Sequence, residues 1–599
     1  MPAPEELEER RRRLRSNAID EWEQRLEHPS AGLRTVEAIR PVLRSKICRS
    51  LEMYRVNDAV HWFMNDLSSR VIAQSGIPSD RYHLGKLILQ SFKDAPDFIT
   101  QIDGGTGESE TNVSVMKRSI QCAAALRNIG LEHGDVMVVM APNHIDVAIP
   151  FYAALYLGVI ISAVDRTLGI NELQGSFGIS KPKIVFCQSD KATDVQLALN
   201  KLDLRTHIVT FDKGDYLFNY ADFLDKYGDT SAAYDFKPSD FDPESTIAFL
   251  IATSGTTGLP KAAAVTHKNI VITNPYLWVR QFNFPTPTRL ALIGSPLQWL
   301  TAIVNFVLSP ILRYTRLQTS LTLTPDHAYY LINKYRPSFT LLSPTMMTTL
   351  MKPGVREQCD FSCLDLLYLG GSPVPRELMN EIQRVTPHTE VLNIYGMSEL
   401  TSVGFISDFS PPESCGKPLG CFRYRLVDPD THQDISKPNT PGELWVKGPG
   451  IFKEYYNNPQ ATEETFAEDR WFKTGDMFYR DENGNYFYVE RIKLLLKYKS
   501  FQISPVEIEA VIRKHPSVLD VAVTGIPDQE CGDLPVACVV TRSGCDVTSQ
   551  DIKDWVKNAL SDSKQLRGGV IFVSEIPMTA STKVHRRKLK EMALVMERQ

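Results

Sequence analysis

Short apolar runs alternate with amphipathic stretches along most of this chain, and that alternation restricts it to an α/β architecture. Val136 to Met140, Ile184 to Cys187, Ile247 to Ala252 and Leu366 to Leu369 read as buried strands. Interleaved with them, Val115 to Ile129 and Arg376 to Val385 carry the helical period. The run Val147 to Val164 raises the question of a membrane span. It contains Pro150 and Gly158, lies between Asp146 and Asp165, and falls short of the roughly 20 residues a spanning helix needs. A buried helix leading into a buried strand is predicted there. Near the C-terminus, Ser504-Pro505-Val506-Glu507 predicts a capping box with Pro at the first helical position and a buried stripe of Ile508, Val511 and Ile512. Pro516 then ends the helix and a strand follows from Val518 to Thr524, which makes this a small α+β domain. With 599 residues, 43% of them hydrophobic, the chain has room for two or more cores.

The strand at Ile247 runs directly into Thr253-Ser254-Gly255-Thr256-Thr257-Gly258-Leu259-Pro260-Lys261. Glycines let backbone N–H groups turn inward into an anion-binding concavity, the hydroxyls add donors and Lys261 adds a point charge. A nucleotide polyphosphate is the ligand such a loop suits. The Walker pattern is excluded, because it needs Gly-Lys-[Ser/Thr], whereas Pro260 precedes Lys261 and Ala262 follows it. Taken alone, a Gly/Thr-rich loop is equally an ordinary solvated turn.

Three further segments carry chemistry. Asn393-Ile394-Tyr395-Gly396-Met397-Ser398-Glu399-Leu400 offers an aromatic ring for a base and a carboxylate for magnesium, which takes only one or two protein carboxylates beside phosphate and water. Glu399 also reads as a surface carboxylate at a helix start. Trp471 to Asp476 and Glu490-Arg491-Ile492-Lys493 flank a hairpin-like segment that turns at Asn483-Gly484. Asp476 suits two ribose hydroxyls and Arg491 suits ribose or phosphate oxygens, although a turn aspartate and a surface arginine are the plainer readings. Last, Thr579-Ala580-Ser581-Thr582-Lys583-Val584 presents one lysine ahead of a basic helix from His585 to Met592.

In order and spacing these segments resemble the adenylate-forming acyl-CoA synthetases, the AMP-binding enzymes that include plant coumarate-type ligases and beetle luciferases. The likeness runs from about Tyr82 to Met592 and takes in Gly370-Gly371-Ser372-Pro373, Gly442-Glu443-Leu444 and Arg491 to Gln502 besides the segments above. It implies a large adenylation domain of several subdomains over residues 81–490 and a small mobile lid over 491–599 hinged near Lys493. Residues 1–80 lie outside the likeness and are predicted to form an N-terminal helical extension with a charged, solvated helix at its start. It also implies two steps: a carboxylate attacks the α-phosphorus of ATP to give acyl-AMP and pyrophosphate, and the thiol of coenzyme A then displaces AMP. Carried over by position, Lys583, Glu399 and Lys261 would be catalytic, with Glu399 on Mg2+. ATP would lie among Thr253, Ser254, Gly255, Thr256, Thr257, Gly258, Lys261, Gly371, Ser372, Pro373, Asn393, Tyr395, Gly396, Met397, Ser398, Asp476, Arg491 and Lys583. The resemblance puts Trp299, Gly370, Gly396 and Met397 in the acyl pocket, and Lys497, Lys499 and Ser500 beside coenzyme A.

The chain departs from the family pattern at Ala262 and Ser500, where glycines are usual, and a Cβ at Ser500 would narrow the pantetheine path. The pocket segment Pro296-Leu297-Gln298-Trp299 is mostly apolar and predicts a fatty or aryl-alkyl acid, while Trp299 also reads as a packed core aromatic. Beetle luciferases have two histidines where Gln298 and Trp299 stand, which sets aside, without removing, a luciferase-like monooxygenase acting on the adenylate. An ATP-binding paralogue without turnover is the third reading, motivated by Ala262 and Ser500. The net charge of -5 makes no case for nucleic acid, and ten cysteines without a CxxC pair suggest a reducing, cytoplasmic setting. Arginines 10–13 and 15 lie among Glu5, Glu6, Glu8 and Glu9, unlike an acid-poor mitochondrial leader. The ending Glu597-Arg598-Gln599 differs from the Ser-Lys-Leu peroxisomal address. Leu51 to Ala73 is more apolar and is predicted to dock on the large domain or on a partner. The acid and the oligomeric state stay open.

Overall fold

The computed structural model describes residues 59–213, 218–229, 235–253, 261–278, 289–407, 410–498, 501–528, 531–560, 562–579 and 583–598. Two compact units divide the chain. One comprises residues 1–62 and 278–284, of which 59–62 and 278 are described; the other comprises residues 63–277 and 285–599. The predicted charged helix near the N-terminus therefore lies outside the described residues.

The second unit holds four sheets, mixed with helices in the α/β manner the alternation predicts. In a seven-stranded sheet, Ile247–Thr253, Ile160–Ala163, Val136–Met140, Ile184–Cys187 and His207–Thr210 run parallel in that spatial order. Lys261–Thr266 returns antiparallel to Ile247–Thr253 and is itself edged by Glu454–Tyr455. The central strands Val136–Met140 and Ile184–Cys187 are buried at every position, as continuous apolar runs covered on both faces must be. The questioned run Val147 to Val164 is a wholly buried helix, Ala148–Leu157, closed by Gly158 at φ 71°, then the strand Ile160–Ala163. Gly158 is required twice over, since a Cβ there would also lie 2.5 Å from His133 and 2.8 Å from Phe241. Among the described residues no helix is long and apolar enough to cross a membrane.

A nine-stranded sheet carries Leu366–Gly370 and Glu390–Met397 in parallel, with Ser402–Ile406 antiparallel beside the latter. Four antiparallel strands follow, Arg423–Val427, Gly442–Lys447, Phe472–Arg480 and Tyr486–Arg491. The last two are joined through the predicted turn, where Gly484 has φ 78° and Asp481 accepts the backbone N–H groups of Asn483 and Asn485. The C-terminal sheet pairs Phe501–Ile503, Leu496–Tyr498, Gly532–Thr541 and Val518–Asp528, with Gly569–Phe572 parallel to Gly532–Thr541. It has its own core around Ile508, Ile512, Val521, Val539 and Val556.

Residues 63–75 are helical and bury Phe63, Met64, Leu67 and Val71. Arg70 bonds both oxygens of Asp94 at 2.8 Å and Gln74 bonds Gln90 at 2.8 Å, so this apolar stripe docks on the helix Leu84–Asp94 of the same unit. The capping box predicted at Ser504 does not form. Helix Pro505–Ile512 starts where expected, but the Ser504 hydroxyl donates to the Val489 carbonyl at 3.3 Å and Glu507 is drawn off by Lys564 at 2.6 Å. A competing acceptor and a competing cation take the two side chains that would otherwise have bonded each other's backbone. The helix also ends at Ile512, four residues ahead of Pro516, and the strand after it runs on to Asp528.

Candidate functional site

Strand register assembles the centre of the site. Asp476 in Phe472–Arg480 pairs with Arg491 in Tyr486–Arg491, so their side chains emerge together. The Asp476 carboxylate accepts from Arg491 Nε at 3.1 Å through one oxygen and from the Tyr395 hydroxyl at 2.7 Å through the other. A carboxylate has about four lone-pair positions, so two remain for a pair of ligand hydroxyls. Burial pushes the Asp476 carboxyl above its ordinary range against the pull of Arg491, Tyr395 and Lys583, and Asp476 in turn raises Arg491. The Tyr395 ring packs edge-on to Phe478, with centroids 4.8 Å apart, and against Phe405.

Two residues that carried no predicted role hold this turn. Gly475 sits at φ 70° and donates its N–H to Glu443 at 3.0 Å, while the other oxygen of Glu443 accepts from Trp445 Nε1 at 2.7 Å. The Thr474 hydroxyl donates to the Leu444 carbonyl at 2.7 Å and accepts the Asp476 N–H at 3.1 Å. An acid at an inward strand position was the signal available for Glu443, and the segment Gly442-Glu443-Leu444 contained it.

Glu399 lies on the one-turn 3-10 segment Ser398–Leu400 and is 5% exposed, which removes its reading as a surface carboxylate. Its Oε1 accepts from the Tyr455 hydroxyl at 2.7 Å. Burial raises its carboxyl; Tyr455 and Arg491 oppose that shift and Asp476 reinforces it. Among the described residues no cationic side chain bonds Glu399, and no group of three or more His, Cys, Asp and Glu could cage a metal. A buried acid lacking a cationic partner fits Mg2+ held mainly by phosphate and water.

Thr253 ends its strand opposite Lys261, and its hydroxyl donates to the Lys261 carbonyl at 3.3 Å. The predicted phosphate-loop residues Ser254, Gly255, Thr256, Thr257 and Gly258, with Leu259 and Pro260, lie outside the described residues. Lys261 Nζ stands 4.8 Å from the centroid of the Tyr455 ring. Lys583 is held in a loop in which the Thr579 N–H donates to the Lys583 carbonyl at 2.7 Å and the Lys583 N–H to the Thr579 hydroxyl at 3.1 Å. Its side chain opens to solvent yet feels the central charges. Partial desolvation and then Arg491 lower its pKa, while Asp476 and Glu399 raise it.

Gly370 ends its strand where a Cβ would meet Ile394 at 2.6 Å, Gly371 follows at φ 91°, and a Cβ on Gly396 would meet the Ser402 carbonyl oxygen, also at 2.6 Å. The Asn393 amide donates to the Ser414 carbonyl at 3.1 Å, and the residue is buried. Met397 lies beside Tyr395, its sulfur 3.8 Å from the phenol. Half-buried Trp299 precedes helix Leu300–Leu312. Ser372, Pro373 and Ser398 lie on the turns that follow the two parallel strands. Lys493 is exposed on the turn Ile492–Leu494 and Lys497 lies in Leu496–Tyr498, while Lys499, Ser500, Ser581 and Thr582 are outside the described residues.

Residues 89–456 match the family model of the AMP-binding enzyme, and residues 507–583 match that of the AMP-binding enzyme C-terminal domain. The chain is 33% identical over 515 residues to luciferin 4-monooxygenase of Photuris pensylvanica, covering 84% of this chain and 93% of that one. It is 28% identical over 517 residues to 4-coumarate-CoA ligase 1 of Narcissus pseudonarcissus, covering 84% and 91%. The fold superposes on ATP-bound MatB from Rhodopseudomonas palustris with a TM-score of 0.74 at 23% identity, over 85% of this chain and 98% of that one.

Proposed function

The chain belongs to the AMP-binding enzyme family, that of the adenylate-forming enzymes, and from that premise we propose that it uses ATP to activate a carboxylic acid and passes the acyl group to coenzyme A. The observation that carries this reading is the convergence of Lys583, Arg491, Asp476 and Glu399 in one electrostatic neighbourhood, from strands and loops in separate segments of the chain.

In the first step an anion must approach a polyanion, so cationic groups and oriented donors have to be in place beforehand. Asp476 accepts the two ribose hydroxyls on its free lone pairs, with Tyr395 and Arg491 fixing its plane. Lys261 binds the outer phosphates. Lys583 sits between the acid and the α-phosphate and neutralises charge on both as the acid oxygen bonds phosphorus and pyrophosphate leaves. Glu399 would hold Mg2+, which supplies charge neutralisation of the phosphates when bound. In the second step the thiol of coenzyme A attacks the acyl carbon, the C–O bond to AMP breaks and the thiol proton is released. The mostly apolar segment around Trp299, with Gly370, Gly396 and Met397, argues for a fatty or aryl-alkyl acid.

Incubating the purified chain with ATP, Mg2+ and a panel of carboxylic acids, with and without coenzyme A, and analysing the products by mass spectrometry tests this. Acyl-AMP without the thiol and acyl-CoA with it are expected; no adenylate from any acid would overturn the reading. A second reading is favoured by one observation, the greater identity to a luciferin 4-monooxygenase than to the coumarate ligase. Here the adenylate is oxidised by O2, and light or oxygen uptake with ATP and luciferin would distinguish it.

A further inference from the structure

Tyr455 occupies a position that the reaction described above does not use, between Lys261 and Glu399. The two-residue strand Glu454–Tyr455 pairs antiparallel with Lys261–Thr266, and Tyr455 lies opposite Ala263. Side chains alternate along a strand, so Lys261 shares the face of Ala263 and is the diagonal neighbour of Tyr455. The pairing sets Lys261 Nζ 4.8 Å from the ring centroid, within cation–π range. On its other side the phenol donates to Glu399 Oε1 at 2.7 Å, a charge-assisted bond when that carboxylate is ionised.

The segment that presents Tyr455 is fastened at each step. Phe452 N–H donates to the Glu399 carbonyl at 2.9 Å, Lys453 N–H to the Ala264 carbonyl at 2.9 Å, and Tyr456 N–H to the Ala262 carbonyl at 2.8 Å. The Tyr455 N–H donates to the Thr462 hydroxyl at 3.0 Å, in helix Pro459–Thr465, which Asn458 caps through the Ala461 N–H. Tyr455 is 8% exposed and its ring centroid lies 4.8 Å from that of Phe452. One rigid side chain thus spans from the strand that leaves the phosphate-loop segment to the buried acid.

We propose that Tyr455 is a positioning residue for nucleotide binding, its hydroxyl fixing the Glu399 carboxylate for the divalent cation and its ring seating the Lys261 ammonium for phosphate. This rests on the roles given to Glu399 and Lys261 above. The two functions reside in different parts of one side chain and are separable by substitution. Tyr455→Phe deletes the hydroxyl and keeps the ring; Tyr455→Leu deletes both.

Calorimetric titration of ATP into the purified full-length chain, once with excess Mg2+ and once with EDTA, reads the two functions without catalysis. For Tyr455→Phe, affinity in Mg2+ is expected to fall about tenfold, as for loss of one bond to a charged group, with affinity in EDTA within about twofold of the parent. For Tyr455→Leu both fall. Glu399→Gln and Lys261→Ala are the controls. If Glu399→Gln abolishes the gain from Mg2+ and Tyr455→Phe retains it, the proposal for Tyr455 is wrong and the site reading stands. If both controls bind ATP like the parent, the site reading fails and the proposal with it. Thermal melting accompanies each variant; should Tyr455→Phe not fold, 4-fluorophenylalanine incorporated at position 455, which keeps a ring of nearly the phenol's size and lacks the donor to Glu399, carries the same comparison.

Discussion

Arg491 Nε lies 3.1 Å from Asp476 Oδ1 because the two residues are register partners on adjacent antiparallel strands. Asp476 is nearly inaccessible, at 3% side-chain exposure, whereas Arg491 reaches solvent at 36%. Removing the cation strands a buried carboxylate, while removing both charges does not. Arg491→Met is therefore expected to destabilise the chain by about 2 to 3 kcal/mol, less than for a fully buried pair because solvent screens the guanidinium. The double variant Asp476→Asn with Arg491→Met should recover at least half of that. Urea denaturation of the parent, the single and the double variants checks it, and equal losses in single and double variants would contradict the argument.

Lys583 projects from a loop held by its own Thr579 bonds, so its side chain contributes charge at the site and little to the fold. Lys583→Ala is expected to slow pyrophosphate release by about a hundredfold to a thousandfold, the range for losing one preorganised donor to a developing charge. The melting temperature should not move. Pyrophosphate release at saturating ATP is the measurement, and a rate within a few fold of the parent would remove Lys583 from the chemistry.

The parts legible in the sequence are those in which chemistry and local structure coincide. Asp476, Arg491 and Glu399 each sit in a short segment whose glycine, turn or strand pattern announces a site, and the buried strands around them read directly from continuous apolar runs. Tyr455 was not legible, because its partner Glu399 is 56 residues away and they meet only when the edge strand Glu454–Tyr455 adds to Lys261–Thr266. Nor was Ser504, whose expected cap loses to the Val489 carbonyl brought up by tertiary packing. Arg316 makes the same point inside the core. It is fully buried and held by Tyr152, Ser309, Gln101 and Gln318, none of them charged, and two of them, Tyr152 and Gln101, remote in sequence.

His83 supplies a pH prediction. It is fully buried, caps helix Leu84–Asp94 by accepting the Lys86 N–H on Nδ1, and meets the Ser239 carbonyl through Nε2 at 3.0 Å. His133 and His267 face it around Phe241, with Lys86 and Asp80 the nearby charges. Burial lowers its pKa from 6.5 to about 4. As pH falls, the unfolded chain takes up this proton first, so the stability from neutral His83 is complete above about pH 6.5 and is lost on the way down to about pH 4. The loss amounts to about 3 kcal/mol. His83→Asn, which retains a capping acceptor, should flatten that part of the stability profile measured by denaturation between pH 7 and 4.

Arg586 closes the C-terminal region around two buried acids. Its Nη1 donates to Glu509 Oε1 at 2.6 Å and to the Val523 carbonyl at 2.7 Å, and Glu509 Oε1 also accepts the Val523 N–H at 2.7 Å. The same guanidinium restrains Glu490, whose carboxyl burial pushes upward and whose Oε2 has no hydrogen-bond partner. Glu490 directly precedes Arg491 and accepts its N–H at 2.9 Å, while Arg586 follows Lys583 by three residues. One cation thus connects the strand that delivers Arg491 to the segment that delivers Lys583. Arg586→Met leaves both acids without it and is expected to cost about 3 to 5 kcal/mol, the range for breaking a buried pair from one side. Arg586→Lys keeps the charge but not the fork geometry, and should lose less stability while still slowing pyrophosphate release, because the bonds to Glu509 and Val523 that fix the start of the helix after Lys583 are weakened. Denaturation and pyrophosphate assays on the two variants separate these effects, and a Met variant as stable as the parent would show that the acids do not depend on Arg586.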